Sequence, residues 1–389
     1  MNELTQEWII KNGLFARSSI RTEESIKELL MKEKFAKAIE KIDGDYAVIH
    51  YDGKLIYACR DIFGVMPLFY SLSNKIEFGF LKTDIQNPIE LNPREILIYD
   101  AKIEKISFIK RKFFKISPLI PDSEEEITKN LARLFFKSIE KRKSKKKTGV
   151  LFSGGIDSTL IAFLLKTRGI DFCCYTAGMV EDGYAIPDDI SVSKIIAKRL
   201  GLVQKTAEIK LNEVEDAIKE IIKIISEPDV VKISVALPFY FACRLAERDN
   251  VKIIFSGLGS EELFAGYLRH KKSANVNKEC ISGLKKMHER DTYRDYAVTQ
   301  HFGMNCVVPF LDKDLAEYSL RIPAEFKIKN DIEKYIIRKT ALQLGLFEEF
   351  VWRKKKAAQY GSRFMNAIEI LSRKNKFKTK KEYIKSLMD

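Results

Sequence analysis

Residues 151–161 read LFSGGIDSTLI. Two glycines between a serine and an aspartate, after one apolar run and before another, suit a backbone that must approach a ligand closely. Strand, Ser153-Gly154-Gly155, then helix would aim consecutive backbone N–H groups and a helix amino terminus at one spot, which favours a phosphate. No GK[ST] follows, so this is not a Walker loop. Ser153 and Ser158 can donate hydrogen bonds, whereas Asp157 would repel phosphate unless Mg²⁺ lies between them. A bare Gly-Gly turn is often structural; the added Ser, Asp and Ser favour the phosphate reading. The histidines His50, His270, His288 and His301 show neither metal spacing nor a nucleophile elbow, and read as structural or as phosphate neighbours.

The elements around this loop alternate. TGVLF reads as a short buried strand, DSTLIAFLLKTRG as a helix stopped by Gly169, DFCCYTAG as a strand and ISVSKIIAKRLG as a helix stopped by Gly201. TAEIKL, a helix around 212–226, a helix from Pro238 and the strand VKIIFSG continue the series. Such alternation predicts an α/β domain, a parallel sheet with helices on both faces, whose ligands bind beyond the carboxyl ends of the strands. Earlier, residues 41–115 look β-rich, with Asp52-Gly53 and Ser73-Asn74 as turn signals in a small antiparallel sheet. SEEEITKNLARLFFKSIE (123–140) has a serine cap, acids in its first turn and apolar residues at helical spacing, and its phenylalanines read as core. The resulting division is 1–120, a β-rich α+β domain; 121–147, helix and basic linker; and 148–389, the α/β domain.

Composition narrows the class. The chain has 389 residues, 46% of them hydrophobic, enough for two cores. No run of 18 apolar residues appears and the amino terminus lacks signal-peptide order, so the expectation is a cytoplasmic protein with no membrane partner. The six cysteines show no CxxC spacing and read as buried thiols. The net charge of +14 is local: KRKSKKK (141–147) and the tail 352–389 carry it, and the remainder is near neutral. RNA is therefore a partner to weigh, yet a solvated linker and a lysine-rich solubility tail explain the same residues, and RNA is the lesser reading.

The motifs together resemble a family. SGGIDS is similar to the pyrophosphate loop of the N-type ATP pyrophosphatases (PP-loop enzymes), and FSGLGSEELFAGYLRH (255–270), HERDTYR (288–294), VPFLD (308–312), EKYIIRK (333–339) and WRKKKAAQYG (352–361) resemble successive motifs of the asparagine synthetases. RDIFGVMPLFY (60–70) resembles the end of that family's glutaminase domain. The resemblance implies ATP and Mg²⁺ as cofactors. It places Ser153, Gly154, Gly155, Asp157 and Ser158 on the β- and γ-phosphates, and Ser256 and Gly257 against the nucleotide. Glu261, where the family has aspartate, would join Asp157 in binding the metal. Lys355 matches the catalytic lysine, a cation that stabilises charge near the α-phosphate. Asp291 and Arg294 match a pair near the acyl site, though three residues apart they could equally be a helix ion pair.

Two departures stand out. The family's glutaminase nucleophile is an amino-terminal cysteine, whereas position 2 is Asn2; Asn12-Gly13 resembles the glutamine-binding Asn-Gly-Glu, but Leu14 replaces the glutamate. The expectation is a truncated, silent glutaminase domain. In the synthetase half, Leu258 stands where the family has a glutamate thought to handle ammonia, and Val307 where it has an arginine. Leucine cannot move a proton, so aspartate with ammonia is expected to be a poor pair unless another base serves, and Asp291 and Glu262 are the candidates.

The reading is an ATP-dependent, AMP-forming amide ligase acting on a small-molecule carboxylate and on free ammonia or a substrate amine, as the β-lactam synthetase branch does. A homodimer is compatible with it. The rivals are a tRNA-modifying enzyme that adenylates a base, and a catalytically silent ATP-binding homologue.

Overall fold

Nine strands form the amino-terminal part of the computed structural model, which describes residues 3–18, 23–73, 75–181, 185–353 and 357–388. They are β1 (Glu3–Thr5), β2 (Leu14–Ser18), β3 (Tyr46–Tyr51), β4 (Leu55–Arg60), β5 (Phe69–Ser71), β6 (Glu77–Gly79), β7 (Ile89–Glu90), β8 (Glu95–Asp100) and β9 (Lys105–Lys110). The β3–β4 hairpin turns where Asp52-Gly53 predicts: Gly53 adopts φ +97°, and Asp52 Oδ1 accepts from the N–H groups of Lys54 and Leu55. Instead of one small sheet there are two antiparallel ones, ordered β1-β6-β5-β7 and β2-β3-β4-β8-β9. Leu4, Tyr70 and Phe78 of the first pack with Ile49, Ala58 and Leu97 of the second. Alternate residues of the second sheet, Val48 and Cys59 among them, face Ile26, Phe35 and Ile39 of the helices Glu23–Lys32 and Phe35–Glu40. Burial on both faces explains why YAVIHY reads as a continuous apolar run rather than a clean alternation.

The helix Glu124–Lys141 starts at the predicted cap, with a reciprocal capping box between Ser123 and Glu126. It is less a linker than part of the carboxyl-terminal body: Ile127, Leu131, Phe135 and Ile139 are buried in the same cluster as Val150 and Phe255. The basic run after it is only partly solvated. Arg142 is buried and pairs with buried Asp312 at 3.0 Å, while Lys141 reaches Asp43 at 2.6 Å and Asp312 at 3.0 Å. Residues 143 and 145–147 are exposed.

Strands β10 (Thr148–Leu151), β11 (Cys173–Met179), β12 (Gln204–Ile209), β13 (Ile253–Phe255) and β14 (Asn305–Val307) form a five-stranded sheet, ordered β12-β11-β10-β13-β14 and parallel throughout. Its two faces are covered by separate apolar clusters, one holding Val150, Cys174 and Phe255, the other Tyr175, Ala177 and Ile254. The helix expected from Pro238 runs from Val230 to Arg248, with Asp229 accepting from Lys232 N–H at its start and Pro238 inside it. Pro238 withholds one backbone donor without ending the helix, which packs against β11, β12 and neighbouring helices. The tail also differs from a solubility appendage: in the helix Lys380–Lys385, Tyr383 and Ile384 are buried in the second cluster, and Tyr383 OH donates to Glu215 at 2.8 Å.

Candidate functional site

The phosphate-loop candidate leaves β10 at its carboxyl end. Gly154 takes φ +68°, and a Cβ there would sit 3.1 Å from the Ser193 backbone nitrogen, so a side chain would be both strained and crowded. Gly155 donates its N–H to Ser153 Oγ at 3.3 Å and accepts from Ser158 Oγ at 3.2 Å, after which the helix Ile156–Thr167 begins. The loop is thus held by its own hydroxyls. In the first turn of that helix, Asp157 Oδ1 accepts from Ser260 Oγ at 2.6 Å and its Oδ2 lies 2.6 Å from Lys334 Nζ.

That lysine joins the two carboxylates singled out for metal binding. Lys334 Nζ is 2.9 Å from Glu261 Oε1, and its side chain is 1% exposed. Burial pulls its pKa down and Asp157 opposes the shift. Gly266 makes the junction possible: a Cβ there would lie 1.7 Å from Glu261 Oε2 and 2.3 Å from Lys334 Cε. Gly257, after β13, is pressed against Asp157, where a Cβ would fall 2.9 Å from that residue's Cβ. Among the described residues no group of three or more His, Cys, Asp or Glu could hold a metal. Two hard carboxylate oxygens converging on one cationic point do fit Mg²⁺, the ion that completes its shell with water and phosphate oxygens.

A cleft of about 560 Å³ opens at the carboxyl edge of the sheet. Ser153, Gly155, Asp157, Ser158, Ser256, Gly257, Glu261, Asp291 and Arg294 all line it. Gly154 supports it from behind, its carbonyl accepting from Arg353 at 3.4 Å. Lys355 lies outside the described residues, as does Asn2; Arg353 and Ala357 on either side of Lys355's segment line the cleft. None of the four histidines does.

The far wall is charged. Between the helices Val276–Met287 and Tyr293–His301, residues His288–Thr292 form a wide π-helical turn. Arg290, Asp291, Arg294 and Asp295 line the cleft from this turn and the helix that follows. Asp291 and Arg294 do form the alternative ion pair, at 3.0 Å, and they do so inside the cleft wall. Asp291 Oδ2 also meets Arg290 at 3.4 Å, so both its oxygens are neutralised. Glu262 is 1% exposed between Arg290 (3.4 Å) and Arg269 (3.9 Å), and burial raises its pKa. Arg294 makes a second pair at 2.7 Å with Asp295, a buried carboxylate.

Lys334, Ser260, Arg290, Asp295 and Arg353 are among the site residues that sequence reasoning passed over. Lys334 lay within a recognised motif, but nothing in EKYIIRK announces a buried ammonium. Asp295 directly follows its motif and carried no signal.

The chain matches the asparagine synthase family model over residues 130–279 and 271–369, and the glutamine amidotransferase domain model over 2–81. A Methanocaldococcus jannaschii protein with the provisional name asparagine synthetase [glutamine-hydrolysing] 1 is 29% identical over 455 residues, spanning 98% of this chain and 82% of that one. The Homo sapiens asparagine synthetase [glutamine-hydrolysing] is 27% identical over 407 residues, spanning 94% and 71%. Among solved structures, an ammonia-dependent NAD synthetase from Campylobacter jejuni aligns over 69% of this chain and 94% of its own, with TM-score 0.31 and 14% identity.

Proposed function

Because the chain belongs to the asparagine synthase family, we propose that it is an ATP-dependent amide ligase that activates a small carboxylate, aspartate or a related acid, as an acyl-adenylate. Ammonia or a substrate amine then takes the acyl group, releasing AMP. The observation that carries this reading is the meeting of Asp157, from the helix after the SGG loop, with Glu261, from beyond β13, in one cleft with Arg290 and Arg294.

The backbone around Ser153–Gly155 would receive the β- and γ-phosphates at a helix amino terminus. Ser256 and Gly257 would meet the nucleoside beside the apolar strand ends of Leu151 and Ala177. Mg²⁺ held by Asp157 and Glu261 would screen the charge of departing pyrophosphate. Arg290 and Arg294 hold positive charge where a second carboxylate of the acid would lie, and Lys355 would serve the α-phosphate. The test is exchange of labelled pyrophosphate into ATP, with each candidate acid omitted in turn. Exchange that requires Mg²⁺ and one acid is expected; exchange with none, or none at all, overturns the reading.

The glutaminase half is proposed to be silent in this chain. A nucleophilic cysteine needs a lowered pKa, and burial raises all six thiols, Cys59 in β4 to about 12. Leu14, in the place of the pocket glutamate, is buried against Ile26 and Phe35. Purified protein is expected to release no glutamate from glutamine above the uncatalysed rate. Measurable turnover would refute this, and ammonium chloride should replace glutamine as nitrogen donor.

A further inference from the structure

A second, smaller cavity of about 50 Å³ lies behind the cleft, between the amino-terminal sheets and the parallel-sheet domain. Arg17, Asp45 and Met66 line it from one side, Tyr296, Gln300 and Cys306 from the other. Among the described residues, Leu258 and Asp295 alone line both this cavity and the cleft. They form the partition.

The two are unlike. Leu258 offers only hydrocarbon. Asp295 is 1% exposed, and one of its oxygens, Oδ1, is fixed by the Arg294 guanidinium at 2.7–2.8 Å. Oδ2 is buried with no hydrogen-bond partner. A buried carboxylate oxygen left unpaired costs stability, about 1–3 kcal/mol, and such groups in native structures call for a reason. The other carboxylates of the cleft have different engagements. Asp157 and Glu261 hold Lys334, both oxygens of Asp291 are paired with arginines, and Glu262, which also keeps one oxygen without a partner, sits between two arginines and does not reach the small cavity.

We propose that Asp295, which with Leu258 lines both cavities, is the proton acceptor for the incoming amine through its unpaired Oδ2. This rests on the ligase reading above. An amine arriving as an ammonium ion has no lone pair to attack with. One proton passes from nitrogen to Asp295 Oδ2, and the freed lone pair forms the C–N bond at the acyl carbon. The C–O bond to AMP then breaks, its electron pair stays on the phosphate oxygen, and that oxygen takes the second nitrogen proton. Asp295 returns its own proton to solvent. Leucine at 258 is then no bar to ammonia: it keeps the carboxylate dry while the acid-base work is done from 295.

Burial raises the Asp295 pKa to about 6, with Asp291 adding to the rise and Arg294 opposing it. The other titratable groups facing it are Cys243 from the helix Val230–Arg248, Cys306 from β14, and Arg17 and Asp45 across the small cavity. A base with that pKa is charged at pH 7 and close enough to it for efficient transfer.

The test separates the half-reactions, using L-aspartate and ammonium chloride and, in parallel, the acid that best supports exchange. In D295N, amide formed per adenylate is expected to fall roughly 10²- to 10⁴-fold more than pyrophosphate exchange does. The fall of the wild-type amide step as pH drops through about 6 should vanish with it. Restoring a carboxylate to the same wall, in L258E/D295N, should recover amide formation about tenfold or more over D295N. Equal loss of both half-reactions would make Asp295 a support for Arg294 and overturn the proposal, as would an unimpaired D295N or a failed rescue. A wild type without acid-dependent exchange would overturn the ligase reading and this proposal with it.

Discussion

Asp157→Ala is expected to lower Mg²⁺-dependent pyrophosphate release by about 10³-fold or more. One oxygen of this carboxylate holds Ser260, and so the loop after β13; the other holds Lys334, and so Glu261. Removing it takes away a ligand for the metal and also the contact that ties two phosphate-facing segments together. The structural part of the loss can be measured apart. Asp157→Asn keeps the side-chain shape and can still accept from Ser260, so its thermal midpoint should stay nearer wild type than that of Asp157→Ala, while its pyrophosphate release stays low. If either variant turns over at the wild-type rate, Asp157 does not serve the nucleotide and the assignment of the SGG loop fails with it.

Arg142→Ala is expected to cost about 3 kcal/mol or more of folding stability, a large effect for a residue inside a run of lysines. Its guanidinium meets Asp312 Oδ2 at 3.0 Å and also donates to Ser138 O and Oγ. Asp312 Oδ1 meanwhile caps the helix Lys313–Leu320 by accepting from the N–H groups of Asp314 and Leu315. Without Arg142, a carboxylate that is 1% exposed keeps Lys141 alone, among the described residues, as a counter-charge. The check is urea denaturation of Arg142→Ala beside Lys145→Ala, an exposed neighbour whose effect should lie within about 0.5 kcal/mol of zero. Equal midpoints for the two variants would mean that the pair contributes nothing, and that the whole basic run is solvated.

The parallel sheet and the Ser153-Gly154-Gly155 loop at its carboxyl edge were legible because their signals are local. Apolar runs of strand length, glycines closing helices at 169 and 201, and a serine cap at 123 each need only a few neighbours in sequence. What escaped depends on contacts made across the fold. Composition marks the tail as a charged appendage because only Tyr383 and Ile384 of its last helix turn inward. Arg142 is hidden among lysines that do face solvent, and its partner lies 170 residues away. Pro238 reads as a helix start, and the helix instead begins at Val230, with Pro238 inside it. Asp291 and Glu262 were the natural substitutes for a base at 258 because they sit in recognised motifs; Asp295 emerges once two cavities share a wall.

Lys334 gives Asp157 and Glu261 an internal counter-ion. Asp157 and Glu261 together would carry two negative charges at close range, and the ammonium halves that charge before any ligand arrives. If the pair holds Mg²⁺ as proposed, an ion arriving alone would have to displace a buried lysine from both of its carboxylates, which disfavours it. An ion arriving on a triphosphate would bring phosphate oxygens that can pair with that ammonium. The proposed site would then order its ligands, taking the metal together with the nucleotide.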